Sequence, residues 1–103
     1  MNTGSSNIEK EPTTREQVVQ ALRENSPEAS ELLRQWTIAR EAKVEDYLES
    51  RINFELERAA LYGDAGLQDD ADLSIDAAIE QAENENRPDL VQQIVSWAKQ
   101  RFG

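Results

Sequence analysis

Cysteine and histidine are both absent from the 103 residues of the chain. The absence of cysteine excludes disulfides and thiolate metal sites. The absence of histidine removes the commonest general base and the commonest ligand for transition metals. Glycine-rich phosphate loops are missing as well, since Gly63 and Gly66 are not followed by Lys-Ser/Thr. The sequence therefore predicts no catalytic residues, no metal site and no cofactor.

Long apolar segments are also missing. The first twelve residues lack the apolar region of a signal peptide, and no later run is long enough to cross a bilayer. These absences predict a soluble cytoplasmic protein that does not bind membranes. Residues 1–12 are polar, with Ile8 as their only branched apolar residue, and are expected to form a disordered tail before a single helical domain over 13–103.

Basic residues are in the minority. Lysine and arginine number 11 against 21 acidic residues, which gives a formal net charge of −10. Such an excess repels phosphate backbones and anionic membranes, so nucleic-acid binding is not expected. It favours a protein partner with a basic patch. Apolar residues make up 38% of the chain, a low share for a packed domain, so a partner or a second copy is expected to complete part of the core.

Apolar residues recur every three or four positions, the period of an amphipathic helix, and no strand-like alternation occurs. A capping box from Thr14 to Gln17 starts the first helix, and Ser26-Pro27 starts the second. No glycine or proline follows until Gly63. The pattern over 27–62 therefore predicts either one central helix of roughly 54 Å or a break near Lys43–Asp46.

Two further helices are predicted after the turn at Gly63–Gly66. The third helix covers Gln68–Asn84, and the last begins at Pro88. The expected fold is all-α, a four-helix bundle or array of helical hairpins with one long central helix. If one end of that helix projects, it invites pairing with a second copy.

The segment 54–88, about a third of the chain, resembles one tetratricopeptide repeat, a pair of antiparallel helices. The resemblance depends on the aromatic, turn, small and bulky positions of the hairpin: Tyr62, Gly66, Ala71, Ile75, Ala78 and Pro88. Pro88 comes later than in the family, and Glu55 and Arg58 lie where a Trp and a Leu are expected. The resemblance implies a TPR-like C-terminal half that binds peptides or proteins. A plain helical hairpin fits the small residues as well.

Acidic residues cluster at the start of the third helix and invite a calcium interpretation. An EF-hand loop starting at Asp70 places Asp72 correctly, but it requires Gly at Ile75 and Glu at Gln81. The cluster is therefore interpreted as acids stabilised by the positive end of the helix dipole.

Large apolar side chains at the edges of the predicted stripes are the candidates for binding a partner: Trp36, Ile38, Tyr47, Phe54, Tyr62 and Trp97. Trp36 is also a core candidate. Tyr47 and Phe54 fall beside the main stripe, so either another helix covers them or they are exposed interface anchors.

Three functions are compatible with this pattern. The first is a small acidic adaptor or chaperone-like module without catalytic activity that binds other proteins. The second is a structural protein that forms a homodimer through its long helix. The third is an acidic mimic of nucleic acid that inhibits a basic DNA- or RNA-binding protein.

Overall fold

The structure, a computed structural model, describes residues 13–103. Over that range the chain forms five helices and no strand, which confirms the all-α class. The helices are α1 (Arg15–Arg23), α2 (Ala29–Glu41), α3 (Leu48–Asp64), α4 (Gln68–Asn84) and α5 (Pro88–Phe102). The bounds of α4 and the start of α5 agree with the sequence prediction. The predicted tail over 1–12 lies outside the described residues.

The expected long central helix is two helices, so the fold has five helices in place of four. α2 ends at Glu41 and α3 begins at Leu48, and the break includes the predicted Lys43–Asp46. Within it the backbone N–H of Glu45 donates to the hydroxyl of Ser50 at 2.8 Å. A serine side chain that accepts a backbone N–H offers the chain an alternative to the helical hydrogen bond. The residues of the break favour this local turn over continuation of the helix.

The contacts within the chain define two compact units that divide between Ala42 and Lys43, whereas the sequence predicts one domain over 13–103. In the first unit α1 packs against α2. The predicted capping box of α1 is confirmed: Thr14 Oγ1 accepts from the N–H of Gln17 at 3.1 Å, and the side chain of Gln17 accepts from the N–H of Thr14 at 2.9 Å. In the second unit α4 packs against both α3 and α5.

Three of the four connections between helices are closed by the same C-terminal motif. α1, α3 and α4 are each followed by a residue with positive φ: Asn25 (53°), Gly66 (82°) and Asn86 (58°). After α3, the N–H of Leu67 donates to the carbonyl of Tyr62 at 2.8 Å, the bond that defines a Schellman motif, and equivalent bonds follow α1 and α4. Because these residues adopt the left-handed backbone conformation, the chain reverses within a few positions. Consecutive helices thereby become neighbours.

The start of α2 differs by two residues from the prediction. Ser26 accepts from the backbone N–H of Glu28 at 3.2 Å, and the N–H of Ala29 donates to the carbonyl of Ser26 at 3.0 Å. The Ser-Pro pair therefore forms a tight turn before the first helical residue, Ala29. A shift of this size is common at helix ends, where the first turn is often tightened.

Small side chains form the contact between α3 and α4, the most extensive contact between two helices of the second unit. Ala59 of α3 and Ala71, Ala78 and Ala82 of α4 are fully buried. Because the spacing of two packed helices depends on the side chains at the contact, alanine allows a close approach. These alanines form one core cluster with Ile52, Leu90 and Ile94.

Candidate functional site

The candidate residues of the first unit lie in different environments. Trp36 is buried, so it belongs to the interior and does not offer an exposed anchor. Ile38, two residues later on α2, is 52% exposed. A helix turns by about 100° per residue, so positions two apart point in nearly opposite directions. Of this pair only Ile38 is available on the surface.

The candidates of the second unit are also dispersed. Tyr47 precedes α3 and is 52% exposed, whereas Phe54 is 7% exposed and lies under the guanidinium of Arg58, 5.5 Å from its ring centre. Phe54 is therefore not an exposed anchor. Half-buried Tyr62 lines a shallow depression of about 160 Å³ on the α3–α4 surface. Half-buried Trp97 lines a different surface, the groove described next.

An apolar groove lies between α3 and α5, and we call it the α3–α5 groove. It has a volume of about 270 Å³. Each helix contributes a stripe of four residues at positions i, i+3, i+4 and i+7. The stripe of α3 consists of Glu49, Ile52, Asn53 and Leu56, and the stripe of α5 consists of Leu90, Gln93, Ile94 and Trp97. Five of the eight side chains are large and apolar, so water in the groove contacts mostly hydrocarbon.

Ion pairs connect the two walls at both ends of the groove. Near the start of α3, Glu49 lies 3.8 Å from the guanidinium of Arg87, the residue before α5. At the opposite end Asp64, the last residue of α3, lies 3.1 Å from Arg101 near the end of α5. The start of α3 thus lies near the start of α5, and the two helix ends also lie near each other. The two helices therefore run in the same direction. The pairs are partly exposed and contribute little stability, but they define the relative placement of the walls.

Trp97 is held by contacts with Phe102 and Arg101. Its ring meets that of Phe102 edge to face with 5.8 Å between centres, and the guanidinium of Arg101 lies 6.0 Å from its ring centre. Phe102 in turn covers Gly63 so closely that a Cβ at this position would lie 2.3 Å from the ring. The missing side chain of Gly63 therefore makes room for Phe102, which supports Trp97 from behind.

The electrostatic field around the groove is negative. Residues 43–103 carry fourteen acidic and six basic side chains. All four arginines of this range form ion pairs with acids: Arg51 with Asp46 and Glu85, Arg58 with Glu55, Arg87 with Asp89 and Glu49, and Arg101 with Asp64. The positive charges closest to the groove are thus locally neutralised, and Glu49 is the only charged residue in its lining.

The ion pair between Arg87 and Asp89 shifts the pKa values of both residues. Arg87 donates two hydrogen bonds to Asp89, at 3.1 and 2.9 Å. The hydrogen bond raises the pKa of Arg87 above its ordinary value and lowers the pKa of Asp89. Both groups therefore stay charged at neutral pH, and the turn before α5 keeps its ion pairs.

Arg34 and Arg51 also form ion pairs with acidic side chains. Glu31 and Arg34 pair through two hydrogen bonds of 3.0 and 2.6 Å. The hydrogen bonds from Arg34 and then Gln35 lower the pKa of Glu31 from 4.5 to about 2. Arg51 pairs with Asp46 at 3.3 Å and with Glu85 at 3.2 Å.

The groove offers binding surface rather than acid–base chemistry. Its lining contains one carboxylate and two amides, and no pair of titratable groups faces another across it. Across residues 13–103 no three acidic side chains converge in a way that could hold a metal ion. In the same range, no helix combines the length and apolar character needed to span a membrane.

Half of the eight lining residues, Ile52, Leu56, Leu90 and Ile94, belong to apolar stripes that the sequence predicts. Of the predicted partner-binding residues only Trp97 lies in the groove. The only signal for the groove in the sequence is that α3 and α5 both place apolar residues within an i, i+3, i+4 and i+7 repeat. The sequence does not indicate that these two stripes face each other. A stripe shows that a helix has an apolar face. It does not show whether one neighbour or two cover that face.

Protein-family models, curated proteins and solved structures gave no match to this chain. The fold and the groove therefore define the protein only as an all-α chain with an open apolar groove between two helices of the same direction. The resemblance to a tetratricopeptide repeat stays a prediction. Gly66 lies in the turn, and Ala71 and Ala78 lie in the core, as both a repeat and a plain hairpin require.

Proposed function

We propose that this protein is a non-catalytic interaction module that binds a segment of another protein in the α3–α5 groove. The observation that supports this function is the groove itself, which half-buried Leu56 and Trp97 line together with the buried side chains of Ile52, Leu90 and Ile94. Apolar concavities between packed helices are common places for ligands to bind. The protein would act as an adaptor that holds a partner on this surface.

The dimensions of the groove favour a macromolecular ligand over a small one. Sites for cofactors and drug-sized molecules are enclosed and occupy about 300–1,000 Å³. The groove is smaller, at about 270 Å³, and it is open along its length. Side chains of a partner can enter it from outside while the rest of the partner stays on the surface. Trp97 and Leu56 would then act as anchors, since buried aromatic and aliphatic contacts dominate interface energies.

Affinity capture with a pair of matched variants tests this function. Asn53→Arg with Gln93→Arg places two long charged side chains in the groove, and both positions are exposed, so folding should persist. Asn84→Arg with Gln92→Arg makes the same chemical change at exposed positions outside the groove lining. Proteins captured from the native host would be measured by quantitative mass spectrometry.

The expected result is a partner that the wild type and the Asn84/Gln92 variant retain and that the Asn53/Gln93 variant loses. Circular dichroism of all three proteins confirms that the helical content is unchanged. Equal capture by both double variants would contradict the function, because the groove would then have no part in binding.

A second candidate function rests on α4. This helix carries six acidic residues and no basic one within seventeen positions. Such a row of negative charge favours the inhibition of a basic DNA- or RNA-binding protein by mimicry of its ligand. The distinguishing test is competition: DNA should displace a captured partner in a salt-sensitive manner, and Asp76→Lys with Glu80→Lys should abolish capture.

A further inference from the structure

We propose that the occupant of the α3–α5 groove is an amphipathic α-helix whose solvent-facing positions are rich in lysine and arginine. The inference rests on the proposed function and names the chemistry of the partner. Three observations carry it: the matched stripes of the walls, the scarcity of hydrogen-bonding groups in the lining, and the negative charge around the groove.

The two walls match the repeat of a helix. Both stripes extend over eight residues, from Glu49 to Leu56 and from Leu90 to Trp97. Eight residues form about two helical turns with a length of about 10 Å. A third helix between the walls would place its own i, i+3, i+4 and i+7 side chains opposite these stripes. Binding of an apolar helical face in a groove is a common mode of peptide recognition.

The polar groups of the lining are too few for an extended peptide. The side chains of the lining that could form hydrogen bonds are Glu49, Asn53, Gln93 and the indole N–H of Trp97, since the backbones of α3 and α5 are largely bonded internally. An extended segment would bury backbone N–H and C=O groups without partners, and each such group costs about 1–3 kcal/mol. A helix satisfies its backbone internally. The groove therefore favours a ligand that arrives as a helix or folds into one.

Charge complementarity determines the outer face of the partner. Acids exceed bases by eight in residues 43–103, and the arginines at both ends of the groove are already paired. The one charged lining residue is Glu49, whose side chain is 52% exposed. A bound helix would lie beside Glu49 in a unit of net negative charge. Lysine or arginine on that face would be attracted, and glutamate or aspartate repelled.

A second copy of the chain is the less favourable occupant. Each copy carries a net charge of −10, so two copies repel each other. The first twelve residues of the chain do not fit either, because Ile8 is their only branched apolar residue and cannot supply four apolar contacts. A basic helix of another protein satisfies both the apolar lining and the charge.

Three synthetic fifteen-residue peptides test the inference against the full-length protein. The first has leucine at i, i+3, i+4 and i+7 with lysine and arginine elsewhere. The second replaces these bases by glutamate. The third has the composition of the first, but its leucines alternate as in a strand. Fluorescence anisotropy of the labelled peptides at low salt gives their affinities for the wild type and for the two arginine double variants.

The first peptide should bind at least about tenfold more tightly than the other two, since charge and helical register both contribute. Its affinity should fall about tenfold with Asn53→Arg/Gln93→Arg and change less than about twofold with Asn84→Arg/Gln92→Arg, which adds the same charge elsewhere. This last comparison separates binding in the groove from general attraction to an acidic protein.

Several outcomes would overturn the inference. Equal affinity of the second or third peptide would exclude a basic helix, as would the absence of binding by the first. Equal losses in both double variants would place the peptide outside the groove. A dimer in sedimentation analysis that only the Asn53/Gln93 variant dissociates would identify a second copy as occupant. If capture by the groove is nevertheless observed, the proposed function stands and the helical partner alone is wrong.

Discussion

The two sides of α3 in the second unit differ in how they are covered. On the α4 side, alanines allow two helices to meet closely, and Ala59, Ala71 and Ala78 have no exposed surface. On the α5 side, large residues such as Leu56 and Trp97 line the two walls, and a groove of about 270 Å³ stays open. The same helix thus has one closed contact and one open contact.

The difference arises from side-chain size and chain connectivity together. A Schellman turn of few residues brings α4 directly beside α3, whereas α5 reaches α3 only after packing on α4. Large side chains line both walls of the groove, and ion pairs connect the α3 side to the α5 side near the start and the end of the two helices. The open side is the one on which a ligand can bind without unfolding the unit.

The largest loss of stability is expected at a buried residue that lines the α3–α5 groove. Ile94 is 2% exposed and belongs to the core cluster, so Ile94→Ala should lower the free energy of unfolding by about 3 kcal/mol. Leu56→Ala, at the half-buried wall of the groove, should cost only about 1 kcal/mol. Urea denaturation followed by circular dichroism measures both. Equal losses of unfolding free energy in the two variants would show that Leu56 is as enclosed as Ile94.

Enlarging a buried alanine in the contact between α3 and α4 should destabilise the protein more than enlarging a half-buried alanine beside it. Ala78 is fully buried, and Ala78→Leu should lower the free energy of unfolding by about 2 kcal/mol because the helices must separate. Ala77→Leu, one position away and half-buried, should cost less than about 0.5 kcal/mol. Urea denaturation compares the two variants. An Ala78→Leu variant as stable as the wild type would contradict the close approach of α3 and α4.

The turn that creates the closed contact should be sensitive to backbone strain. Gly66 has φ 82° and no neighbour within 4 Å of an added Cβ, so Gly66→Ala should cost about 1 kcal/mol through conformation alone. Gly103 has a similar conformation, at φ 83°, but lies outside the turns that connect the described helices. Gly103→Ala should therefore lower the unfolding free energy less than Gly66→Ala. An equal loss of unfolding free energy in both variants would show that the turn between α3 and α4 is not the cause.

A double-mutant cycle tests the packing behind Trp97. Gly63→Ala alone should be neutral or destabilising, because the new methyl displaces the ring of Phe102. In a Phe102→Ala background the same change should stabilise the protein by about 1 kcal/mol, the helix-propensity gain of alanine over glycine. Urea denaturation of the four proteins gives the coupling energy. Identical effects in both backgrounds would contradict the Gly63–Phe102 contact.

The smallest effect is expected in the first unit and depends on pH. The pKa of Glu31 is lowered to about 2 in the folded chain, first by the hydrogen bond from Arg34. A lowered folded pKa gives stabilisation that is complete above the ordinary value of 4.5 and is lost as pH falls from there towards 2. Glu31→Gln should therefore lower Tm slightly at pH 7 and not at pH 2.

The control for this effect is Glu41→Gln at the exposed end of the same helix. The Tm difference between this variant and the wild type should be smaller at pH 7. If the effect of Glu31→Gln were the same at both pH values, the ion pair would not be its cause.

Local signals in the sequence predicted much of the fold. The capping box at Thr14, the bounds of α4 and the proline at the start of α5 each depend on residues a few positions apart, and all three are confirmed. The sequence predicts the break before Leu48 only as one of two alternatives, because no glycine or proline marks it. It depends on a hydrogen bond of Ser50 to the backbone, which no periodic pattern indicates.

The groove was less accessible to sequence reasoning than the helices. Its position depends on which two apolar stripes face each other across a gap, and that is a property of tertiary packing. The aromatic residues chosen as anchors show the limit: Phe54 is buried, Tyr47 is exposed, and only Trp97 lines the groove. Exposure could not be assigned from residue type, since each of these residues lies at or beside an apolar face.

Site-specific photocrosslinking in the native host tests the central claim most directly. A benzophenone amino acid would replace Gln93, which lines the α3–α5 groove, or Gln92, the next residue on α5, which lines a separate depression with Glu83 and Val91. The account predicts that illumination traps a discrete partner protein at position 93 and not at position 92. Crosslinks at position 92 alone, or equal crosslinks at both positions, would contradict it.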